Sequence, residues 1–258
     1  WRLVKFMKKI LGLIPVRLKS RRLKNKALLK LRNIPLVMHV YFRAKLSKKL
    51  DDVIVCCDDK KIFDVVHNFG GKAILTSKLH KNGTERIAEV LNLKKTKYKL
   101  IIDIQGDEPF INPKQIDEVI KFHLNNYNTD IVVPSLKIKN NFNHNIVKII
   151  KTLKDNVLYF SRENVPYRFY KKNSFLNKHL SIISFKPNAL KKYAKFKHTP
   201  LEKLEGIELL RALEIGLKIK SPSIKGDNFS VDVHQDYMNA KKIINQDKIF
   251  KHYKNKFL

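Results

Sequence analysis

The stretch Leu100-Ile101-Ile102-Asp103-Ile104-Gln105-Gly106-Asp107-Glu108-Pro109 decides the fold. An apolar run closed by Gly-Asp-Glu-Pro reads as a buried strand ended by a turn. Upstream, Ile10–Pro15, Val53–Cys57 and Lys72–Leu75 have the same apolar, β-branched character, and Asp130–Pro134 repeats it downstream. Between them lie runs whose apolar residues recur at three to four positions: Pro35–Lys49, Lys60–Phe69, Thr84–Leu93 and Pro113–Asn125. In the second of these, Ile62, Val65, Val66 and Phe69 share one helical face. Thr84 or Gly83 is the expected N-cap of the third. Strand–helix alternation of this kind predicts an α/β fold in three layers, a mainly parallel sheet covered by helices on both faces. Ligands of such sheets bind beyond the carboxyl ends of the strands.

The rhythm changes after about residue 135. Lys137–Asn145 is polar and reads as a loop; Val147–Lys151, Val157–Phe160 and Leu180–Phe185 read as strands. This section is expected to form a smaller lobe, about 135–200, inserted into one domain spanning 7–246. Pro200–Gly216 reads as a single amphipathic helix, Ile219–Ile224 and Phe229–Val233 as strands, and Gln235–Ile244 as a helix. The basic tail Asp247–Leu258 reads as a frayed helix. Near the start, Lys8-Lys9 precede the apolar Ile10–Ile14, but no small-residue cleavage site follows. A buried first strand is therefore expected, with Met7 as the natural start and residues 1–6 as an upstream extension.

Hydrophobic residues form 43% of the 258, enough for a sizeable core, which excludes disorder as the main state. With 8 Gly and 9 Pro, collagen-like and linker-rich architectures are excluded. Cys56 and Cys57 are neighbours on a strand and point to opposite faces, so neither a disulfide framework nor a paired metal site is expected. No apolar run reaches the roughly 18 residues of a membrane span, and the cytoplasm is the default location. Lys and Arg number 54 against 23 Asp and Glu, a formal charge of +31 that favours polyanionic partners. No RNP motif, helix-turn-helix or zinc finger accompanies it, so the charge is read as a drift toward Lys and Asn rather than specific nucleic-acid binding.

Several segments carry candidate chemistry. The first strand runs into Pro15–Lys26, where six of twelve residues are basic. Arg forks and Lys point charges there suit a triphosphate. Asp107 follows the fourth strand, where a phosphate-bound hard cation needs an oxygen ligand. Asp232, after a late strand, is the candidate second carboxylate, and the two would hold Mg2+ against a nucleotide. His80–Arg86 joins a strand to a helix, with Gly83 permitting close approach. The glycine-rich fingerprints of P-loops and dinucleotide sites are absent, as is any Ser/His/Asp or Cys/His nucleophile arrangement.

In this order the segments resemble the CMP-Kdo synthetases, or 3-deoxy-manno-octulosonate cytidylyltransferases. The similarity rests on Pro15, Arg17, Ser20, Arg22-Leu23 and Lys26; on Asn82-Gly83-Thr84-Glu85-Arg86; and on Gln105–Pro109 intact. It continues through Phe142-Asn143, Asn145, Val147-Lys148, Leu158–Arg162, Val165-Pro166, His179-Leu180, Pro200-Leu201-Glu202 with Glu205, Glu208 and Arg211, and Val231-Asp232. The resemblance implies a Rossmann-like nucleotidyltransferase sheet, with a lobe through which family members dimerise. It implies Mg2+-dependent transfer of CMP from CTP to Kdo for lipopolysaccharide biosynthesis. An amino-Kdo or a nonulosonic acid is the alternative sugar, and a basic nucleic-acid-binding protein the more distant alternative. It implies that Arg17, Ser20, Arg22 and Lys26 hold the triphosphate, that Asn82, Gly83, Thr84 and Arg86 line the cytidine side, and that Asp107 and Asp232 hold Mg2+. Arg17, Lys26, Asp107 and Asp232 would be the catalytic set. Gln105, Arg162, His179, Glu202 and Glu205 are the implied sugar contacts. The sequence departs from the family pattern at Lys24-Asn25, where Pro-Gly is usual, at Asn82 in place of Ser, and at Ile183 in place of Tyr.

Overall fold

A computed structural model describes residues 9–20, 22–94, 97–139, 143–167, 169–170, 175–227 and 229–254. Met7, Lys8, Arg21, Phe142 and residues 255–258, which figure in the expectations above, lie outside them. In chain order the strands are β1 (Lys9–Val16), β2 (Lys30–Leu31), β3 (Ile34–Pro35), β4 (Asp52–Cys57), β5 (Ala73–Leu75), β6 (Tyr98–Ile104), β7 (Ile131–Val132), β8 (Ser135–Ile138), β9 (Lys148–Lys151), β10 (Val157–Ser161), β11 (Leu176–His179), β12 (Ile182–Phe185) and β13 (Ile219–Lys220). The helices are α1 (Leu36–Lys45), α2 (Lys60–Asn68), α3 (Gly83–Leu93), α4 (Pro113–Asn125), α5 (Pro187–Lys195), α6 (Pro200–Glu205), α7 (Glu208–Glu214) and α8 (His234–Ile243).

A seven-stranded sheet runs in the order β13-β7-β12-β6-β1-β4-β5. Its pairings are parallel except those of β12, which runs antiparallel to both β6 and β7. The side chains of β1 alternate between two cores, as a period of two requires. Ile10, Ile14 and Val16 join the core under α1, α2, α4 and α8; Leu11 and Leu13 join the core under α3, α5 and α7. Cys57 and Cys56 divide between the same two cores, both buried and free. The expected three-layer α/β architecture is therefore present.

A second, four-stranded antiparallel sheet holds β10-β9-β11-β8, the smaller lobe. Its last strand ends at His179, and the following strand, expected in the lobe, returns to the large sheet as β12. The apolar sequence of Ile182–Phe185, buried throughout, suits a strand covered on both faces better than a lobe strand. The lobe thus closes before the expected boundary near 200.

Other features differ from expectation. The helix expected over Pro200–Gly216 is two helices, broken where Gly206 adopts φ 62°. That left-handed residue ends α6 with its amide bonded to the Glu202 carbonyl. Phe229–Val233 is not a strand. The tail docks instead of fraying: a 3-10 turn over Phe250–His252 buries Phe250 and Tyr253 against the core beside His39. The cap of α3 is Asn82, whose side chain accepts from the Glu85 amide, one residue before the predicted position.

Candidate functional site

The carboxyl ends of β1 and β6, with the amino end of α3, wall a cleft of about 430 Å3. Arg17, Ser20, Arg22 and Lys26 line it from the loop after β1. His80, Lys81, Asn82, Gly83 and Arg86 line it from the α3 side, Gln105, Gly106 and Asp107 from the β6 turn, with Glu208 and Asp232 completing the wall.

Tight backbone packing sets the β6 turn. A Cβ on Gly106 would meet Val16 Cγ1 at 2.3 Å and the Pro15 carbonyl oxygen at 3.0 Å, so only glycine lets this turn lie against the end of β1. The loop after β1 is pinned at Leu18, whose amide donates to Asp58 Oδ1 at 2.9 Å. It reaches Lys26 through Asn25 at φ 53°. Asn takes the left-handed conformation more readily than other L-residues, so the chain turns here without a glycine.

The two acidic loops are joined by the Val231 amide, which donates to the Asp107 carbonyl at 2.9 Å. This backbone bond, not a strand, brings Asp232 to the cleft. Asp236 fixes the loop from the other side by accepting from the amides of Asp232 and Val233. Lys26 Nζ then lies 2.8 Å from Asp107 Oδ2 and 3.1 Å from Asp232 Oδ1. Arg22 Nη2 reaches Asp232 Oδ1 at 2.9 Å. A cationic group thus sits between the two carboxylates. Mg2+ suits such a place, since it keeps several waters and takes one or two carboxylates plus phosphate oxygens. Among the described residues no cluster of three or more His, Cys, Asp or Glu offers an all-protein metal cage.

Not every predicted contact faces the cleft. Thr84 is buried and donates through its hydroxyl to Glu208 Oε2 at 2.7 Å, so it holds a wall residue rather than lining the wall. Arg86 borders the cleft, but its guanidinium is bonded to Thr76 Oγ1 and to the Ser77 carbonyl, with Asp58 at 3.6 Å. Glu202 is buried in a two-bond pair with Arg211, at 2.6 and 2.7 Å. Glu205 accepts from Ser161 Oγ and the Arg162 amide, both at 2.9 Å. Arg162 donates to the backbone carbonyls of Glu205, His144 and Gly206, and borders an adjoining recess with Arg22, His144, Asn145 and Asp232. His179 ends β11, half-buried and edge-on to Phe160, its imidazole pushed down to about 4 by burial and then by Lys178. Ile183 is buried in β12 opposite Asp103.

Sequence reasoning left Glu208 without a role. Glu202, Glu205 and Glu208 are spaced by three, which on one continuous helix places them along one side. The break at Gly206 separates them: the first meets Arg211, the second the Arg162 loop, and the third enters the cleft. Burial raises the Glu208 carboxyl, while the Thr84 hydroxyl works in the opposite direction. Below it, fully buried Asp103 is pushed well above the usual carboxylate range by burial and by Glu208; the Gln105 amide, 3.2 Å from both its oxygens, opposes this.

A cluster of basic side chains at one strand end, facing paired carboxylates across a cleft, is the arrangement of a nucleotidyltransferase site. The sequence model of the cytidylyltransferase family matches residues 11–219. The 3-deoxy-manno-octulosonate cytidylyltransferase of Thermodesulfovibrio yellowstonii is 39% identical, covering 90% of this chain and 96% of the relative. That of Fusobacterium nucleatum subsp. nucleatum is 40% identical, over 92% of this chain and 96% of the relative. The structure of CMP:2-keto-3-deoxy-manno-octonic acid synthetase complexed with CTP superposes with a TM-score of 0.87 at 27% identity, covering 93% of this chain and 99% of that one. The chain is an enzyme of the 3-deoxy-manno-octulosonate cytidylyltransferase family. Among the described residues no helix is long and apolar enough to cross a membrane.

Proposed function

We propose that the chain uses Mg2+ to couple CTP to Kdo, giving CMP-Kdo and pyrophosphate for lipopolysaccharide assembly. The observation that carries this reading is Lys26 Nζ held between Asp107 and Asp232 at the mouth of a basic cleft. Arg17, Arg22 and Lys26 grip the triphosphate, and Ser20 adds a hydroxyl donor. Asn82 and Gly83 border the base and ribose. Asp107 and Asp232 hold the metal, which when bound offsets the charge of the α-phosphate and favours ionisation of the sugar hydroxyl. The anomeric oxygen attacks the α-phosphorus in line, and the bond from that phosphorus to the pyrophosphate oxygen breaks. Such a transfer needs placement and charge neutralisation rather than a protein nucleophile.

The sugar acid occupies the adjoining recess beside Asp232, which Arg162 borders. Gln105 and Glu208, polar groups of the cleft wall, meet its hydroxyls; Glu205 acts through Arg162, and Glu202 is spent on the buried Arg211. The names of the relatives support Kdo as the acceptor. Pyrophosphate release from CTP, measured with a panel of keto-sugar acids and Mg2+, tests the reading. Turnover with Kdo well above that with 8-amino-Kdo or a nonulosonic acid is expected; turnover only with another acid contradicts the assignment.

A homodimer through the lobe belongs to the same reading. Leu158, Tyr167, Phe169, Tyr170 and Phe175 are exposed there, a concentration of apolar surface that suits an interface. Light scattering at micromolar concentration should give twice the chain mass.

A further inference from the structure

The C-terminal segment packs against the hairpin segment 26–36, made of the 3-10 turn Lys26–Leu28 with β2 and β3; it holds one carbonyl there itself and the next through His39 of α1. Tyr237, on α8, donates its hydroxyl to the Lys30 carbonyl at 2.8 Å. The Leu31 carbonyl is taken by His39 Nε2 at 3.0 Å. A carbonyl only accepts, so that nitrogen carries the proton and Nδ1 accepts from the Tyr253 hydroxyl at 2.8 Å. His39 is fully buried, and burial pushes its imidazole down to about 4, so the ring is neutral in one tautomer. The tail is itself tied to α1 by an ion pair between Asp247 and buried Arg43. Phe250 and Tyr253 pack edge-on, and both contact the His39 ring. The same C-terminal segment begins with Asp232. It therefore holds both sides of the Lys26–Asp232 contact: Asp232 directly, and Lys26 through Lys30 and Leu31.

We infer that the docked tail is a positioning strap, in which Tyr253 acts through His39, and Tyr237 acts directly, to set the Lys26 hairpin against Asp107 and Asp232. The inference rests on the reading of the cleft as a CTP site. It uses no group of the tail as a ligand: Tyr237 and Tyr253 are spent on the protein. Their effect on the nucleotide is through the angle at which Lys26 leaves the hairpin. A frayed tail would leave the buried Leu31 carbonyl held by a ring with no fixed tautomer.

Tyr253→Phe keeps the packed ring and removes the hydroxyl that His39 and the neighbouring Arg43 share; Tyr237→Phe removes only the donor to Lys30. Val66→Ala, on the core face of α2, supplies a destabilised control. Amide exchange is measured over residues 26–36 and over β6, and KM is measured for CTP and for the sugar acid. Each Tyr variant should speed exchange in 26–36 with β6 unchanged. Tyr253→Phe should raise KM for CTP about fivefold, the worth of one buried hydrogen bond, and Tyr237→Phe, whose bond is exposed, about twofold, with KM for the sugar acid unmoved in both. Val66→Ala should lower Tm without this split. Unchanged exchange over 26–36 in both Tyr variants overturns the strap whether or not CTP is the substrate. Faster exchange without any change in KM for CTP overturns its positioning role. A wild-type chain that does not turn over CTP contradicts the proposed function, and the exchange comparison still decides the strap.

Discussion

The amide of Val231 donates to the carbonyl of Asp107 at 2.9 Å, so one backbone bond sets the distance between the two carboxylates of the site. Replacing Val231 by Pro removes that donor and the tie between the two loops, a cost of about 1 kcal/mol. We expect turnover to fall at least tenfold, about 1.4 kcal/mol in transition-state terms, with far-ultraviolet dichroism retained. Steady-state kinetics at saturating CTP checks it; unchanged turnover would mean that Asp232 reaches the cleft independently of this bond.

Gly106→Ala should damage the site through packing alone. The added methyl meets Val16 and the Pro15 carbonyl, and the turn must lift away from β1. Overpacking of this kind costs about 1–3 kcal/mol. A urea titration should show that loss, and CTP binding by calorimetry should weaken in parallel. A variant with wild-type midpoint and affinity would contradict the close packing of the two loops.

Glu202→Gln should act on stability and spare the chemistry. It leaves the buried Arg211 guanidinium without its two-bond partner, although Glu85 remains at 3.2 Å. Breaking a buried pair from one side costs about 3–5 kcal/mol, and the residual Glu85 contact places the expectation at the lower end. Denaturant midpoints should fall while KM for the sugar acid holds. A raised sugar KM at unchanged stability would return Glu202 to the sugar pocket.

The buried histidines predict an acid-side loss of stability. His39 and His123 are fully buried, each pushed down to about 4, from 6.5, chiefly by desolvation. The unfolded chain binds their protons first as pH falls. Their neutral-state contribution is therefore complete above about 6.5, declines between 6.5 and 4, and is flat below. Each histidine gives a slope of about 1.4 kcal/mol per pH unit in that window. Asp103 and Glu208, with raised carboxyls, run the other way and stabilise the fold as pH falls. Comparing wild type with His123→Gln isolates one histidine: urea unfolding should show the difference in slope between pH 6 and 4.5. Parallel profiles would contradict a neutral buried imidazole.

Much of this was legible because local rules agree with the fold. Pro113–Asn125 forms as expected, with Asn112 capping and Pro113 in the first turn, and β1, β4 and β6 follow their apolar runs. The cleft residues from Arg17 to Lys26 and from Gln105 to Asp107 were visible because they directly follow those strands. What was hidden depends on long-range contacts. The amphipathic period of Pro200–Gly216 continues through Gly206, so nothing local announces the break that sends Glu208 rather than Glu202 into the cleft. Asp232 arrives by a bond to a residue 124 positions earlier in the chain than Val231. The tail reads as frayed because it is basic, with four Lys against one Asp, yet Phe250 and Tyr253 find a site beside His39 that only the folded chain provides.

The central claim is that Asp107 and Asp232 together hold the metal that CTP brings to the basic loop. Pyrophosphate release from CTP and Kdo with saturating Mg2+ should be lost in Asp107→Asn and in Asp232→Asn, each folded by circular dichroism. Near-wild-type release in both variants would contradict it.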